Sequence, residues 1–592
     1  MTESPIFAHL HLHTEYSLLD GGNRINRLLD RVVDLGMTSV AITDHGNLHG
    51  CVEFYHAARK RGIKPILGIE AYVARGDRRN KQATGVRDMG DHLVLLAENE
   101  AGWRNLMKLS SDSYLEGFYY KPRMDHETLG QWSDGLIAIN GHLGSSIAWH
   151  LERFVENEKS EHWDAAVEEA RWHAEAFGPS ADGQPCFFVE LQRNGVAEQD
   201  AINPHLIRLA RELDLPLVCD NDVHFLGAED HDVHDTLCCI SMQKNKDDPN
   251  RLHYPTDIYL KSPEDMSAMF TDLPEVVENA ALIGERCNVE LDFDVSHVPL
   301  VRVNGPDEEP VWNGEDLTDW YKSWCKQFEL LPFDELQPGA PERDLVLEEC
   351  NQTLRQLCRA GLIWRYGVDG ITEEITNRCE RELRILEDKF ISAYFLIVWD
   401  FVNWAHQRGI PATARGSGVG TMVGYVLGLS NACPVEHGLL FERFTDPDRT
   451  EYPDIDIDIC QNGRADVIDY VREKYGHVAQ IITFGRLKAR AAIKDVSRVH
   501  GLPPHEGQRL ANLIPNELNI VIEDALDREP ELKAEYDSNP TIRKVLDTAR
   551  ALEGHARHAG VHAAGVVIAT QPLDTIVPLY RASGTDDTVT QW

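Results

Sequence analysis

Six times between residues 6 and 225, a short apolar run is joined at one end to side chains able to bind a metal. No other feature limits the fold as strongly. Phe7-Ala8-His9-Leu10 leads to His11 and His13, with Asp20 in the next loop. Residues 38–42 lead to Asp44 and His45, 65–69 to Glu70, 136–139 to His142, and 215–219 to Asp222 and His224. His92 is the exception, because it opens the run 93–97 instead of closing it. Amphipathic stretches such as 25–35 and 52–61 separate the runs at helical spacing. Strand alternating with helix predicts an α/β fold with a parallel sheet, closed into a barrel. In such a barrel, polar residues at the C-terminal strand ends gather at one mouth. A lone histidine is usually a satisfied core residue, whereas nine converging ligand types read as a metal site. Mixed nitrogen and oxygen donors favour Zn²⁺ or Mn²⁺, and clustered ions of that kind hydrolyse phosphoesters.

The whole chain sets wider bounds. At 592 residues it is long enough for several cores, and no run of eighteen apolar residues suggests a membrane span. Residues 1–5 lack the basic-then-apolar pattern of a secretion signal. The 12 cysteines show no CxxC pair, so they read as reduced thiols and the chain as cytoplasmic. A net charge of −39 opposes nonspecific adhesion to nucleic acid, although a local basic path would still permit specific contact.

A second constellation lies in the C-terminal half. In Pro453-Asp454-Ile455-Asp456-Ile457-Asp458-Ile459 the carboxylates alternate with isoleucine at strand period, so one face carries three aspartates. Such a face is either a charged edge that resists aggregation or a seat for Mg²⁺, which takes carboxylate oxygen and keeps sites for substrate phosphates. Same-face neighbours stand roughly 6.6 Å apart along a strand. Two metals about 4 Å apart can therefore be shared only by an adjacent pair, either Asp454 with Asp456 or Asp456 with Asp458. Before this strand, Arg415-Gly416-Ser417-Gly418-Val419-Gly420 precedes an apolar helix at 422–427. Small residues and a helix N-terminus together suit a phosphate. After it, Arg486, Lys488, Arg490, Lys494 and Arg498 form a basic run suited to DNA phosphates.

The stretches HLHLHTEYSLLDGG, AITDHGNLHG, GIEAYV, SYLEGFYYKPR and CDNDVHF resemble the polymerase and histidinol phosphatase (PHP) domain. FISAYFLIVWDF, ARGSGVGTMVGYVLGL, LLFERF, YPDIDIDIC and QIITFGRLKARAAIKDVSR are similar to the palm and early thumb of bacterial replicative DNA polymerases of the C family. The resemblance implies a distorted (β/α)7 barrel holding up to three Zn²⁺ or Mn²⁺ on His11, His13, Asp20, His45, Glu70, His92, His142, Asp222 and His224. It also implies a polymerase-beta-like nucleotidyltransferase palm with an inserted helical thumb. There Asp454 and Asp456 would hold two Mg²⁺, and Gly416 and Ser417, with Arg415, would meet the triphosphate. Arg557, His558 and His562 would approach the triphosphate or primer. Ala412-Thr413-Ala414 stands where relatives usually have a Gly-Pro-Gly run.

The expected domains are a barrel over 1–295, a linker or insertion over 296–345, the first part of the palm over 346–485, a thumb over 486–563 and a second part of the palm over 564–592. Within 346–485, helical spacing recurs at 345–362 and 379–404, with Asp400 and His406 at the wetter end of the latter. The family's third catalytic carboxylate and its fingers would lie beyond Trp592, so the chain reads as incomplete. The implied function is primer extension by a DNA polymerase catalytic subunit with a 3′–5′ exonuclease in the barrel. Expected partners are primer–template DNA, deoxynucleoside triphosphates, a sliding clamp and other replisome subunits, with no membrane. Two alternatives stay open at this stage: a phosphoesterase whose barrel is the only active centre, and a non-catalytic docking piece.

Overall fold

The computed structural model describes residues 6–82, 89–293, 299–335, 337–446, 448, 453–582 and 587–592. They pack as two compact units, Met1–Leu291 with Gln480–Gly565 and Asp574–Trp592, and Asp292–Ala479 with Val566–Leu573.

The first unit is built on seven strands: β1 (Ser39–Ile42), β2 (Lys64–Val73), β3 (Asp91–Ala97), β4 (Arg123–Met124), β5 (Leu136–Asn140), β6 (Phe187–Leu191) and β7 (Leu217–Cys219). They run in the order β1-β2-β3-β5-β6-β7, with β4 on β2. Residues 9–13 close the ring. On one side the Ala41 N–H donates to the His9 carbonyl and the Thr43 N–H to that of Leu12, both at 2.9 Å. On the other, the His13 N–H donates to the Val223 carbonyl (2.9 Å) and the Val223 N–H to that of His11 (3.0 Å).

The expected all-parallel sheet is corrected at β3, which runs antiparallel to both β2 and β5. Its first residues consequently lie at the mouth where its parallel neighbours end. Tyr72, near the end of β2, pairs with His92, near the start of β3. That reversal accounts for the one ligand that opens its apolar run.

The helical stretch after residue 487 belongs to this unit as well. Ala489–Val499, Pro504–Asn512, Ile522–Arg528 and Pro540–Leu552 share a core with Leu237, Cys239 and Ile240 of the helix His231–Met242. Gln591 is fully buried, accepts the Leu48 N–H (2.8 Å) and donates to the Leu579 carbonyl (2.8 Å). Residues 574–592 therefore pack within the barrel's unit.

In the second unit, residues 300–333 of the expected linker or insertion are folded. Strands β8 (Leu300–Asn304) and β9 (Glu329–Phe333) pair antiparallel, and the helix Leu317–Cys325 lies between them in sequence. Trp320, Tyr321, Leu330 and Phe333 are buried in one core with the helices Arg343–Tyr366, Glu373–Asp388 and Ser392–Gln407. The acidic residues 307–309 are merely the exposed turn of that module. The helical stretch expected over 379–404 breaks at Phe390, whose φ of 57° lies in the left-handed region. Asp400 is buried rather than wet. It accepts hydrogen bonds from Tyr470 (2.9 Å), Lys474 (2.7 Å) and Tyr475 (3.1 Å).

Strands β10 (Ala412–Arg415) and β11 (Asp456–Ile459) pair antiparallel in this unit, so residues 412–414 are strand where the resemblance expects Gly-Pro-Gly. A 3₁₀ turn, Gly416–Gly420, leads from β10 to the short helix Met422–Val426. That helix begins on two internal acceptors. The Thr421 hydroxyl takes the Gly424 N–H (2.8 Å), and the buried Glu382 carboxylate takes that of Val423 (3.1 Å). Arg378 holds the other Glu382 oxygen at 2.5 Å.

Breaking a buried charge pair from one side typically costs ~3–5 kcal/mol, because it strands the partner. Glu382→Ala should therefore lower the unfolding free energy of this unit by about that amount in urea denaturation, and Glu382→Gln by less. A loss under ~1 kcal/mol, the size of an exposed pair, would mean that Glu382 does not organise this turn.

Candidate metal centre and acidic strand

The barrel mouth is organised around Glu70, a buried carboxylate near the end of β2. Its oxygens lie 3.3 Å from His11, 3.4 Å from His13, 2.8 Å from His92 and 3.0 Å from His142, and it also pairs with His45. Asp222 stands opposite, 3.4 Å from His11, 3.2 Å from His13 and 3.4 Å from His224. It holds a φ of 48°, a backbone state that non-glycine residues seldom adopt and that aims its carboxylate inward. Asp20 reaches His45 at 3.1 Å. All nine expected ligands thus converge on one mouth.

Burial disfavours every charge here, so each group's state follows from its neighbours. Burial alone would raise Glu70, but His92, His45 and His11 hold it well below the usual carboxylate range. Burial would likewise lower His45, yet Glu70 and Asp20 push it up to about 10. Glu190 and Glu70 push His142 up to about 9 against the same burial. His11 is raised by Asp222, Glu190 and Glu70. His13 goes the other way, to about 3, through burial and the neighbouring His45 and His224.

Whether these residues suit metals can be judged from the atoms left over. His11 Nε2, His13 Nε2, His45 Nδ1, Glu70 Oε2, His142 Nε2, Asp222 Oδ1 and His224 Nε2 are buried and make no hydrogen bond of standard geometry; apart from His224 Nε2 they meet one another in the ion-pair contacts above. Buried polar atoms are rarely abandoned. Here they come from five of the expected histidines and two carboxylates, within reach of one another, which is what a cluster of divalent ions would satisfy.

Sequence reasoning missed Glu190, which is fully buried on β6. One oxygen meets His11 Nδ1 (3.1 Å) and the other His142 Nδ1 (3.2 Å). It thereby turns both Nε2 atoms toward Glu70, the orienting role that second partners of metal-binding imidazoles play. The signal was present in Phe187-Phe188-Val189-Glu190-Leu191, a single charge inside a wholly apolar strand. Asp44 also orients rather than binds. It accepts from Ser17 Oγ (2.7 Å), which in turn contacts His13 Nδ1 (3.0 Å).

In the second unit, Asp454, Asp456 and Asp458 are all exposed, while Ile455, Ile457 and Ile459 are half-buried. The Ile455 N–H donates to Tyr394 (3.1 Å), which fixes the approach to β11. Arg415 stands opposite Asp456 in the register and contacts Asp456 (3.4 Å) and Asp458 (3.2 Å). These exposed pairs are weak, so a cation could displace the guanidinium easily. Gly416 has φ +65° and, like Ser417, is exposed beside the aspartates; a Cβ at Gly416 would lie 3.6 Å from Asp456 Oδ2. The helix N-terminus expected to help hold a phosphate is not free for it, since Thr421 and Glu382 already take its N–H groups. Any phosphate contact falls to the turn itself.

The remaining expected site residues lie in the first unit. Arg557 pairs with Asp495 (3.0 Å), and the exposed His562 accepts the Gly565 N–H (2.6 Å). In the basic run, Arg486 is tied to Glu15 (2.7 Å), Arg490 to the Ile514 carbonyl (2.7 Å) and Arg498 to that of Lys244 (3.2 Å). Lys488 and Lys494 are exposed.

Comparison with known proteins finds two families, the second of which spans parts of both units. The PHP domain family matches residues 9–194, and the family described as the bacterial DNA polymerase III alpha NTPase domain matches residues 352–592. A DNA polymerase III subunit alpha from Campylobacter jejuni is 39% identical over 591 residues, covering 98% of this chain and 46% of its own length. One from Borreliella burgdorferi is 39% identical over 579 residues, again covering 46% of its length. The chain thus spans about half the length of these curated relatives. Among solved structures, an amidohydrolase from Chromobacterium violaceum, with bound sulfate and no metal, is 18% identical with a TM-score of 0.23, covering 37% of this chain and 87% of its own. Among the described residues, no helix is long and apolar enough to cross a membrane.

A pH dependence follows from the imidazoles. His45 and His142 are raised to about 10 and about 9, so their protons stabilise the metal-free fold below about pH 6.5. That contribution fades as the pH rises toward those values. Metal ions must displace the same protons, so affinity should rise through this window. Titration of metal-free protein with Mn²⁺ in buffers of differing ionisation enthalpy should show proton release at neutral pH and tighter binding at about pH 8 than at about pH 6.5. Binding without proton release would mean that these imidazoles are already neutral.

Proposed function

Because the chain belongs to the bacterial DNA polymerase III alpha family along nearly its whole length, we propose that it forms the PHP barrel and first palm segment of a replicative DNA polymerase. The carrying observation is the exposed pair Asp454 and Asp456 beside the Gly416-Ser417 turn, within a segment matched to that family. In the full-length protein, the primer 3′ oxygen attacks the α-phosphorus of a deoxynucleoside triphosphate, and the bond to pyrophosphate breaks. Two Mg²⁺ ions, when bound, would supply charge neutralisation for that displacement. Asp454 and Asp456 would hold them, Gly416 and Ser417 would orient the triphosphate, and Arg415, now beside Asp456 and Asp458, would turn to the phosphates. Arg557 and His562 approach the triphosphate or primer, and Lys488 and Lys494 meet backbone phosphates of the primer–template. A sliding clamp and other replisome subunits are the partners, and the cytoplasm the compartment, that this reading carries.

The barrel supports a second activity, a 3′–5′ exonuclease acting on single-stranded or frayed ends. What favours it is the convergence of all nine expected ligands on one mouth, seven of them with a buried ligand atom that makes no hydrogen bond of standard geometry. Up to three Zn²⁺ or Mn²⁺ ions, when bound, would supply phosphate polarisation and an activated water. Glu70 and Asp222 sit between the histidines so as to be shared, while Glu190 and Ser17 keep the imidazoles turned toward them.

In the full-length polymerase, Asp454→Asn and Asp456→Asn should each lower primer extension by on the order of 10²–10³ or more, as loss of transition-state charge stabilisation does, without lowering the melting temperature. Asp458→Asn should be far milder. Equal losses at all three would show that the ligand pair is wrongly chosen. For the barrel, a 3′-labelled oligonucleotide with Mn²⁺ should be trimmed by this chain and not by the His45→Ala, Asp222→Asn double variant. Equal trimming by both would assign the cleavage elsewhere, and none by either would leave the barrel a structural metal site.

A further inference from the structure

Next to the nine-ligand mouth lies a cluster that neither the polymerase nor the nuclease reading uses. The helix His231–Met242 places His234 and Cys238 four residues apart, hence on one face. Both are buried, at 2% and 4% exposure. Their polar atoms meet Asp20 from the side opposite His45. Cys238 Sγ lies 3.8 Å from Asp20 Oδ1 and 3.6 Å from His234 Nε2, and His234 Nε2 lies 2.9 Å from the Asp20 carbonyl oxygen. The second Asp20 oxygen is held by Tyr254 (3.1 Å) and His45 (3.1 Å).

Two readings compete for this arrangement. As a plain hydrogen-bond cluster, Cys238 would be a weak donor at the far end of sulfur contact. As a ligand set, the spacing is what a tetrahedral ion requires. Zn–S bonds of about 2.3 Å and Zn–N or Zn–O bonds of about 2.0–2.1 Å put neighbouring sulfur and nitrogen or oxygen ligands about 3.5 Å apart. The observed 3.6 and 3.8 Å edges match that geometry. His234 also meets a further requirement of a bound imidazole, a place for its other ring proton. Nδ1 is buried without a partner, and His234 lines a cavity of about 30 Å³ with Gly22, Asp230 and His555, room for one water.

We propose that Asp20, His234 and Cys238 form a further, thiolate-bearing metal position, joined to the barrel centre through the shared Asp20 carboxylate. A sulfur donor selects a soft or borderline ion, so this position takes Zn²⁺ in preference to Mn²⁺ or Mg²⁺. The Asp20 carbonyl or a water supplies the fourth ligand, and the Cys238 thiol proton leaves to solvent when the ion enters. The inference rests on the barrel being a metal centre, and the test separates the two.

Metal-free protein loaded with Co²⁺ should show a sulfur-to-cobalt charge-transfer band in the near ultraviolet. Cys238→Ser should abolish that band and lower the bound Zn²⁺ stoichiometry by one, and His234→Gln should weaken both. Cys239→Ser, altering the next buried thiol on the same helix, should leave both unchanged and controls for loss of packing. If Cys238→Ser does not fold, protection of Cys238 from alkylation by bound Zn²⁺, read by peptide mass spectrometry on the unaltered chain, serves instead. A protein that binds Co²⁺ without the band, keeps the band in Cys238→Ser, or leaves Cys238 equally reactive with and without Zn²⁺ overturns the proposal alone. A protein that binds no metal removes the barrel reading as well.

Discussion

The first unit depends on one electrostatic constraint: Glu70 is buried, ionised and surrounded by imidazoles that cannot all be neutral or all charged. Five histidines contact its two oxygens. The surrounding carboxylates then divide the histidines into raised and lowered members, with His45 and His142 up and His13 down. A buried cluster of this kind is a poor source of stability, because desolvation offsets most of the attraction. Its buried ligand atoms make no hydrogen bonds of standard geometry, a lack that a cluster of cations would satisfy. The antiparallel β3, the left-handed Asp222 and the buried Glu190 all serve that arrangement. Each brings one more donor to the mouth, or fixes the angle of one already there.

The acidic strand in the second unit obeys the opposite rule. Its aspartates are exposed and its isoleucines half-buried, so repulsion among the carboxylates is relaxed by water and by Arg415. Nothing there is locked. An open face suits a site whose ions arrive with the substrate, whereas the enclosed barrel suits ions that stay. The nearby helix terminus follows the same economy, having its first N–H groups taken by Thr421 and Glu382. The free donors are therefore confined to the Gly416-Ser417 turn, where the left-handed glycine brings the backbone close to Asp456.

Where the sequence was legible, a period or a chemistry was local. Alternation at 454–459 gave the exposed and half-buried faces, and the apolar runs gave the strands and the mouth. What stayed hidden depended on partners distant along the chain. Strand direction is not written in an apolar run, so β3 read as an exception until its neighbours were known. Glu190 escapes sequence reasoning because its partners, His11 and His142, lie 179 and 48 residues away. Asp400 looked solvent-facing because Tyr470, Lys474 and Tyr475 arrive from a later helix. Composition left linker and insertion open at 296–345, because only the long-range core shows that Trp320, Tyr321, Leu330 and Phe333 fold this stretch.

Partners elsewhere in the chain also engage much of the basic run. Five cations in thirteen residues looked surplus, but an arginine fork seeks fixed acceptors. Arg486, Arg490 and Arg498 find Glu15, the Ile514 carbonyl and the Lys244 carbonyl within their own unit. The lysines, as flexible point charges, stay at the surface. In a chain of net charge −39, the exposed Lys488 and Lys494, with the exposed but engaged Arg486 and Arg490, are a small positive feature. Phosphate attraction through them falls as counterions are released less favourably at higher salt. What the run's arginines do in this structure is join the helical segment to the rest of the barrel's unit.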